Sequence, residues 1–135
     1  MIPLVCETVK MLKNSSTIVV FLTALIFSCS SKSKLQDFDH ETWISDPAGC
    51  DGKRLGLKAS LENNLEALKT LNQNEVKDLL GKPDKNELYK RSQKFFVYQI
   101  GPGKECGQEP TTPSPYLSIR FNAMGLAKEV LIYNQ

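Results

Sequence analysis

Little in this chain points to chemistry. It has a single histidine, so neither an imidazole base nor a histidine-rich metal site has much to draw on. Its cysteines form no Cys-x-x-Cys pairs, which argues against structural zinc. Gly-x-Ser-x-Gly is missing, and so is a phosphate-binding loop. Gly101-Pro102-Gly103 is no dinucleotide fingerprint; Pro102 and the following Lys104-Glu105 suit a strand-end turn. The cluster Asp37, Asp39, His40, Glu41, Asp46 and Asp51 lacks the glycine and closing glutamate of a calcium loop, and reads as a solvated acidic end. A net charge of +2 builds no strong field for nucleic acid. There is no internal repeat. The sequence therefore predicts no enzyme, no cofactor and no metal, and 135 residues suit one domain.

The chain also lacks a long apolar run. Ile18 to Phe27 is its most apolar stretch, about half the roughly 20 residues a bilayer-spanning helix needs. That length fits a signal-peptide core, with Lys10 and Lys13 before it and the small Ser28 after it. Ile26-Phe27-Ser28-Cys29 resembles the lipobox of bacterial lipoproteins, with Phe27 where a smaller residue is more usual. Residues 1–28 are therefore expected to be a signal peptide, and Cys29 the acylated, palmitate-type first residue of the mature protein. The competing readings are a core helix ending at a free cysteine and an uncleaved anchor. Met11 to Ser16 would itself make a compact basic n-region, so translation is expected to start at Met11. The composition after Cys29 is that of a flexible tether, from 29 to 40. Ser30, with no acidic run behind it, resembles lipoproteins bound for the outer membrane and facing the periplasm.

Export changes the cysteine arithmetic. With Cys6 and Cys29 set aside, Cys50 and Cys106 remain, and an even pair in an oxidising compartment tends to bridge. Both sit in turn-rich segments that need fixing from outside. The rival reading, a reactive cysteine, would have only His40 as its base.

From residue 41 to 135 the sequence reads as one α+β domain. Leu57, Leu61, Leu65 and Leu68 recur at helical spacing and predict a helix over 54–69, with Asn63 and Asn64 on its polar face. Asn72 and Glu75 form a capping box, Leu71 and Val76 a staple, and Gly81 with Pro83 a stop, so a short helix ends at Leu80. Strands follow at Glu87–Lys90, Phe95–Ile100, Tyr116–Asn122 and Ala127–Tyr133. Leu117, Ile119 and Phe121 face one side, and Ser118, Arg120 and Asn122 the other. Two helices packed on one face of a three- to four-stranded antiparallel sheet are the expected architecture. Residues 101–115 make a long loop, stiffened by prolines and pinned by Cys106; such loops are either functional or tolerated insertions. Trp43, the only tryptophan, either packs the tether's end onto the domain or meets a partner. Lys104, Gln108, Glu109 and Pro110 join it as candidate partner contacts. Tyr89, Lys90, Arg91 and Lys94 form a small basic patch, either a solvated turn or a site for lipid head groups.

Leu71, Glu75, Val76, Leu79, Leu80, Gly81, Pro83 and Asp84, then Tyr98 and the hairpin Phe121 to Val130, resemble the SmpA/OmlA family of BamE-like outer-membrane lipoproteins. The resemblance spans roughly residues 54 to 133. The front, with Trp43, Cys50 and Cys106, resembles small lipoproteins of the Bacteroidetes type. The family implies an α-α-β-β-β fold and a scaffold role beside the β-barrel assembly machinery. The functional expectation is a lipid-anchored periplasmic interaction protein with a protein partner in an envelope complex. The alternative is a binding module or an enzyme inhibitor.

Overall fold

The computed structural model describes residues 35–107, 109 and 112–135. The proposed signal, Cys29, the tether up to residue 34, Gln108 and Pro110 lie outside them. The described chain is an α+β fold in which helices precede a four-stranded antiparallel sheet.

Five short helices come first: α1 (His40–Ile44), α2 (Lys53–Gly56), α3 (Lys58–Asn63), α4 (Leu65–Leu68) and α5 (Gln73–Leu80). α5 follows its local signals. The Asn72 side chain accepts from the Asn74 and Glu75 N–H groups, and Glu75 accepts from the Asn72 N–H at 2.8 Å. Gly81 ends the helix with φ +75°, a value that glycine takes without steric cost.

The helix expected over 54–69 is instead α2, α3 and α4, broken at Leu57 and Asn64. Asn64 is the cause at the second break. Its Oδ1 accepts from the Gln36 N–H, and its Nδ2 donates to the Gln36 and Ser60 carbonyls, all at 2.7–2.8 Å. A side chain that binds backbone in this way competes with the helix. Asn64 is thus buried rather than on a polar face. The same bonds correct the tether's boundary. From Leu35, which is buried, the chain is docked on the helical layer. α1 was not anticipated; Asp39 caps it, accepting from the Thr42 N–H and hydroxyl. Those bonds hold the Asp39 carboxyl below its ordinary range.

The strands are β1 (Lys85–Tyr89), β2 (Gln93–Gln99), β3 (Pro115–Phe121) and β4 (Ala127–Asn134), in that spatial order. Alternation decides the faces. Phe96 lies opposite Ile119, which lies opposite Val130; Tyr98, Leu117 and Ile132 make the next row. This face meets Leu61, Leu68, Val76 and Leu80 from the helices in a single core. A bulge between Arg120 and Phe121 leaves Lys128 without a partner in the register.

Candidate interaction surface

The helices cover one face of the sheet. The same register puts Tyr89, Phe95, Val97, Tyr116, Leu131 and Tyr133 on the other. Tyr116 and Tyr133 stack with centroids 5.7 Å apart, and Tyr89 meets Phe95 edge-on at 6.1 Å. Leu131 is 52% exposed, and Tyr133 and Tyr89 are open to solvent as well. Charged side chains share this face: Arg120 and Glu129 close an ion pair at 2.8 Å, and β1 adds Glu87 and Lys85, whose Nζ lies 5.9 Å from the Tyr116 ring centroid. Burial, and then the Glu87 carboxylate, push the Tyr133 hydroxyl above its ordinary range. The surface is thus a set of aromatic and aliphatic side chains bordered by charged ones, a composition suited to a protein contact.

One end of this face is framed by the loop after β2. Ile100 donates to the Pro115 carbonyl, and Ser114 Oγ to that of Gly101, so the loop is closed at its base. Gly103 lies over Gln99; a Cβ there would stand 2.5 Å from the Gln99 amide nitrogen. Lys104 and Glu105 then reach the sheet edge, where Glu105 pairs with Lys85 at 3.4 Å. The loop is fixed from the helical side as well. Gly49 lets the turn Pro47–Gly49 come against Ile100, since a Cβ would meet the Ile100 oxygen at 2.6 Å. This approach brings Cys50 to Cys106, with Cα atoms 5.5 Å apart, and the two form a disulfide. The expected pairing is present.

Comparison of the chain with family models, with curated proteins and with solved structures finds no match. What the surface does must therefore be read from its residues.

The sequence-predicted sites divide. Lys104 and Glu109 are exposed, with Lys104 on the pinned loop. Trp43 is not available to a partner. It is fully buried, packs on Phe38 and Tyr98, and donates its indole N–H to the Leu80 carbonyl at 3.0 Å. Asp46, counted with the solvated acidic cluster, is a buried cap that accepts from the Asp51 and Arg54 N–H groups. Among the described residues no three His, Cys, Asp or Glu side chains converge as a metal site. No described helix is long and apolar enough to cross a membrane.

A concavity of about 390 Å³ is lined by Ile44, Pro47, Arg54, Leu80, Lys82 and Asp84, among others. Arg54 lies at its floor, nearly fully buried. Its Nε donates to the Trp43 carbonyl, its Nη1 to Asp84 at 2.8 Å and to the Gln99 carbonyl, and its guanidinium lies 4.5 Å from the Trp43 ring centroid. Asp84 also accepts from the Gln99 N–H. The Arg54 charge is thus matched within the protein by Asp84. Beside it, burial pushes the Tyr98 hydroxyl above its ordinary range, the Asp84 carboxylate adding to the effect, and that hydroxyl donates to the Gly81 carbonyl.

The sequence points to the sheet or the long loop as the place where a partner is met, but does not single out the residues of the outer face, although a signal is there. Phe95-Phe96-Val97-Tyr98 and Val130-Leu131-Ile132-Tyr133 are apolar in both phases of a strand's alternation. A strand of that kind needs cover on both faces, and the helices supply it on one.

Proposed function

We propose that this protein is a lipid-anchored, periplasm-facing interaction protein of the bacterial outer membrane, of the SmpA/OmlA kind, without enzymatic activity. The open sheet face carries the reading. It offers Tyr89, Phe95, Leu131 and Tyr133 to an apolar patch or strand of a protein partner in an envelope complex. An acylated Cys29 would confine both molecules to one membrane surface and raise their effective concentration. Helices that precede an antiparallel sheet support this reading at the level of element order, with five short helices and four strands where the family implies two and three. The pinned loop supports the alternative, a binding module or inhibitor. Lys104 and Glu105 stand exposed on backbone fixed by the disulfide and by the loop base, as a loop inserted into another protein's cleft would need.

The test uses the full chain in a bacterium that processes lipoproteins. Intact mass should correspond to residues 29–135 plus acyl chains and two hydrogens fewer. A photo-cross-linker at Leu131 should then trap one envelope protein, while one at the exposed Leu55 on the helical side should not. Leu131→Asp should abolish binding of that partner, and as a surface change should alter stability by only about 0.5 kcal/mol. An unacylated full-length mass removes the anchor. Equal trapping from both positions removes the sheet face.

A further inference from the structure

The two hairpin turns, Lys90–Ser92 between β1 and β2 and residues 122–126 between β3 and β4, lie at the same end of the sheet, because the strands form a simple meander. Strand spacing places them about 10 Å apart. Both are unusual for exposed turns. Met124 is 81% exposed, Leu88 77% and Tyr89 63%, and all three are at this tip. The segments 88–94 and 122–128 carry Lys90, Arg91, Lys94 and Lys128 and no carboxylate. Among the described residues none of these cations is in a salt bridge; Lys94 donates to the Gln73 amide oxygen. The nearest acids are occupied or set back. Glu75 serves the α5 cap, Glu129 pairs with Arg120, and Glu87 lies farther down β1 opposite Phe95. The first turn also keeps one of its cations, Arg91, at a conformational cost. Arg91 and Ser92 both hold positive φ, at 61° and 58°, where glycine or asparagine is the easier choice.

Apolar side chains projecting from a tip ringed by unpaired cations match a bilayer interface. There methionine, leucine and tyrosine enter the headgroup boundary and lysine and arginine meet phosphates. We propose that this end of the sheet docks on an anionic phospholipid surface, with Met124, Leu88 and Tyr89 at the interface and Lys90, Arg91 and Lys128 on the headgroups. The domain would then stand with its strands steeply inclined to the membrane, leaving the outer sheet face free for a partner. The inference rests on the membrane-anchored reading, which the intact mass tests separately.

The experiment places an environment-sensitive fluorophore, as an unnatural side chain, at position 124 of the processed protein in proteoliposomes. A control carries it at the exposed Ala67 in α4. In phosphatidylcholine vesicles containing phosphatidylglycerol, emission at 124 should shift to the blue and be quenched by brominated lipid. It should stay aqueous in pure phosphatidylcholine, and at 67 in both. Lys90→Glu/Arg91→Glu should lower the docked fraction by more than about tenfold, since each cation near such a surface contributes roughly fivefold. Lys128→Glu, on the other hairpin, gives a second variant that leaves the 90–92 turn intact, with an expected loss of about fivefold. Protein incorporated in the vesicles but aqueous at 124 in both lipids overturns the proposal. So does docking indifferent to both charge reversals, or cross-linking of position 124 to a protein in place of lipid.

Discussion

Replacing Cys50 and Cys106 together with serine should lower the unfolding free energy by about 4 kcal/mol. The bridge joins positions 56 residues apart, and the entropy of closing so long a loop in the unfolded chain sets that figure. Against a total of roughly 5–15 kcal/mol for a domain of this size, the loss is large. The native side points the same way. Cys50 ends a turn that belongs to the helical layer, and Cys106 belongs to a loop that caps the sheet. Nothing else among the described contacts clips these two segments together as directly as the bridge. Urea denaturation of the double variant, set beside the wild type with and without reductant, measures the effect. The reduced wild type and the double variant should coincide. An unchanged midpoint would mean that the Gly49–Ile100 approach and the loop base hold the structure alone.

Asp84→Ala should cost about 3–5 kcal/mol, as expected when one partner of a buried ion pair is removed. Arg54 is almost wholly buried, while Asp84 lies at the surface with its side chain 17% exposed. Without the carboxylate, a guanidinium remains in the core with only the Trp43 and Gln99 carbonyls and the Trp43 ring as compensation. The Gln99 N–H loses its acceptor in the same step. The double variant Arg54→Met/Asp84→Leu removes both charges and should recover much of the loss. A double-mutant cycle read by denaturation separates the coupling from the individual truncations. If Asp84→Ala costs under about 1 kcal/mol, water has taken the carboxylate's place and the pair behaves as a surface bridge.

The parts of the fold legible in the sequence were those written locally. Asn72, Glu75, Gly81 and Pro83 specify α5 within twelve positions, and the period of two in Tyr116–Phe121 specifies which side of β3 is buried. What escaped depends on partners distant in sequence. Leucine spacing alone could not reveal that Asn64 would turn to the backbone of Gln36 and break the helix there. Nor could it reveal that Arg54, in a run of polar and small residues, would be drawn inside by Asp84 and by Trp43. Trp43 illustrates the limit. A lone aromatic in polar surroundings looks alike in sequence whether it plugs a core or greets a partner, and only the Leu80 carbonyl 37 positions away decides. The open sheet face was half legible. The double-sided apolar strands were present in the sequence, but which side stayed uncovered depended on where the helices packed.

The Gln36–Asn64 clasp has a geometric consequence for anything holding the chain upstream. An extended chain reaches at most about 3.3–3.6 Å per residue. If residues 29 to 40 were all free, a lipid at Cys29 would leash the domain on roughly 40 Å of cord. With the chain made fast at Leu35, the cord is cut to roughly 20 Å, less than the width of the domain itself. Were Cys29 acylated, a body on so short a leash could not search the periplasm, and a partner would have to meet it at the membrane, within a shell little thicker than the protein.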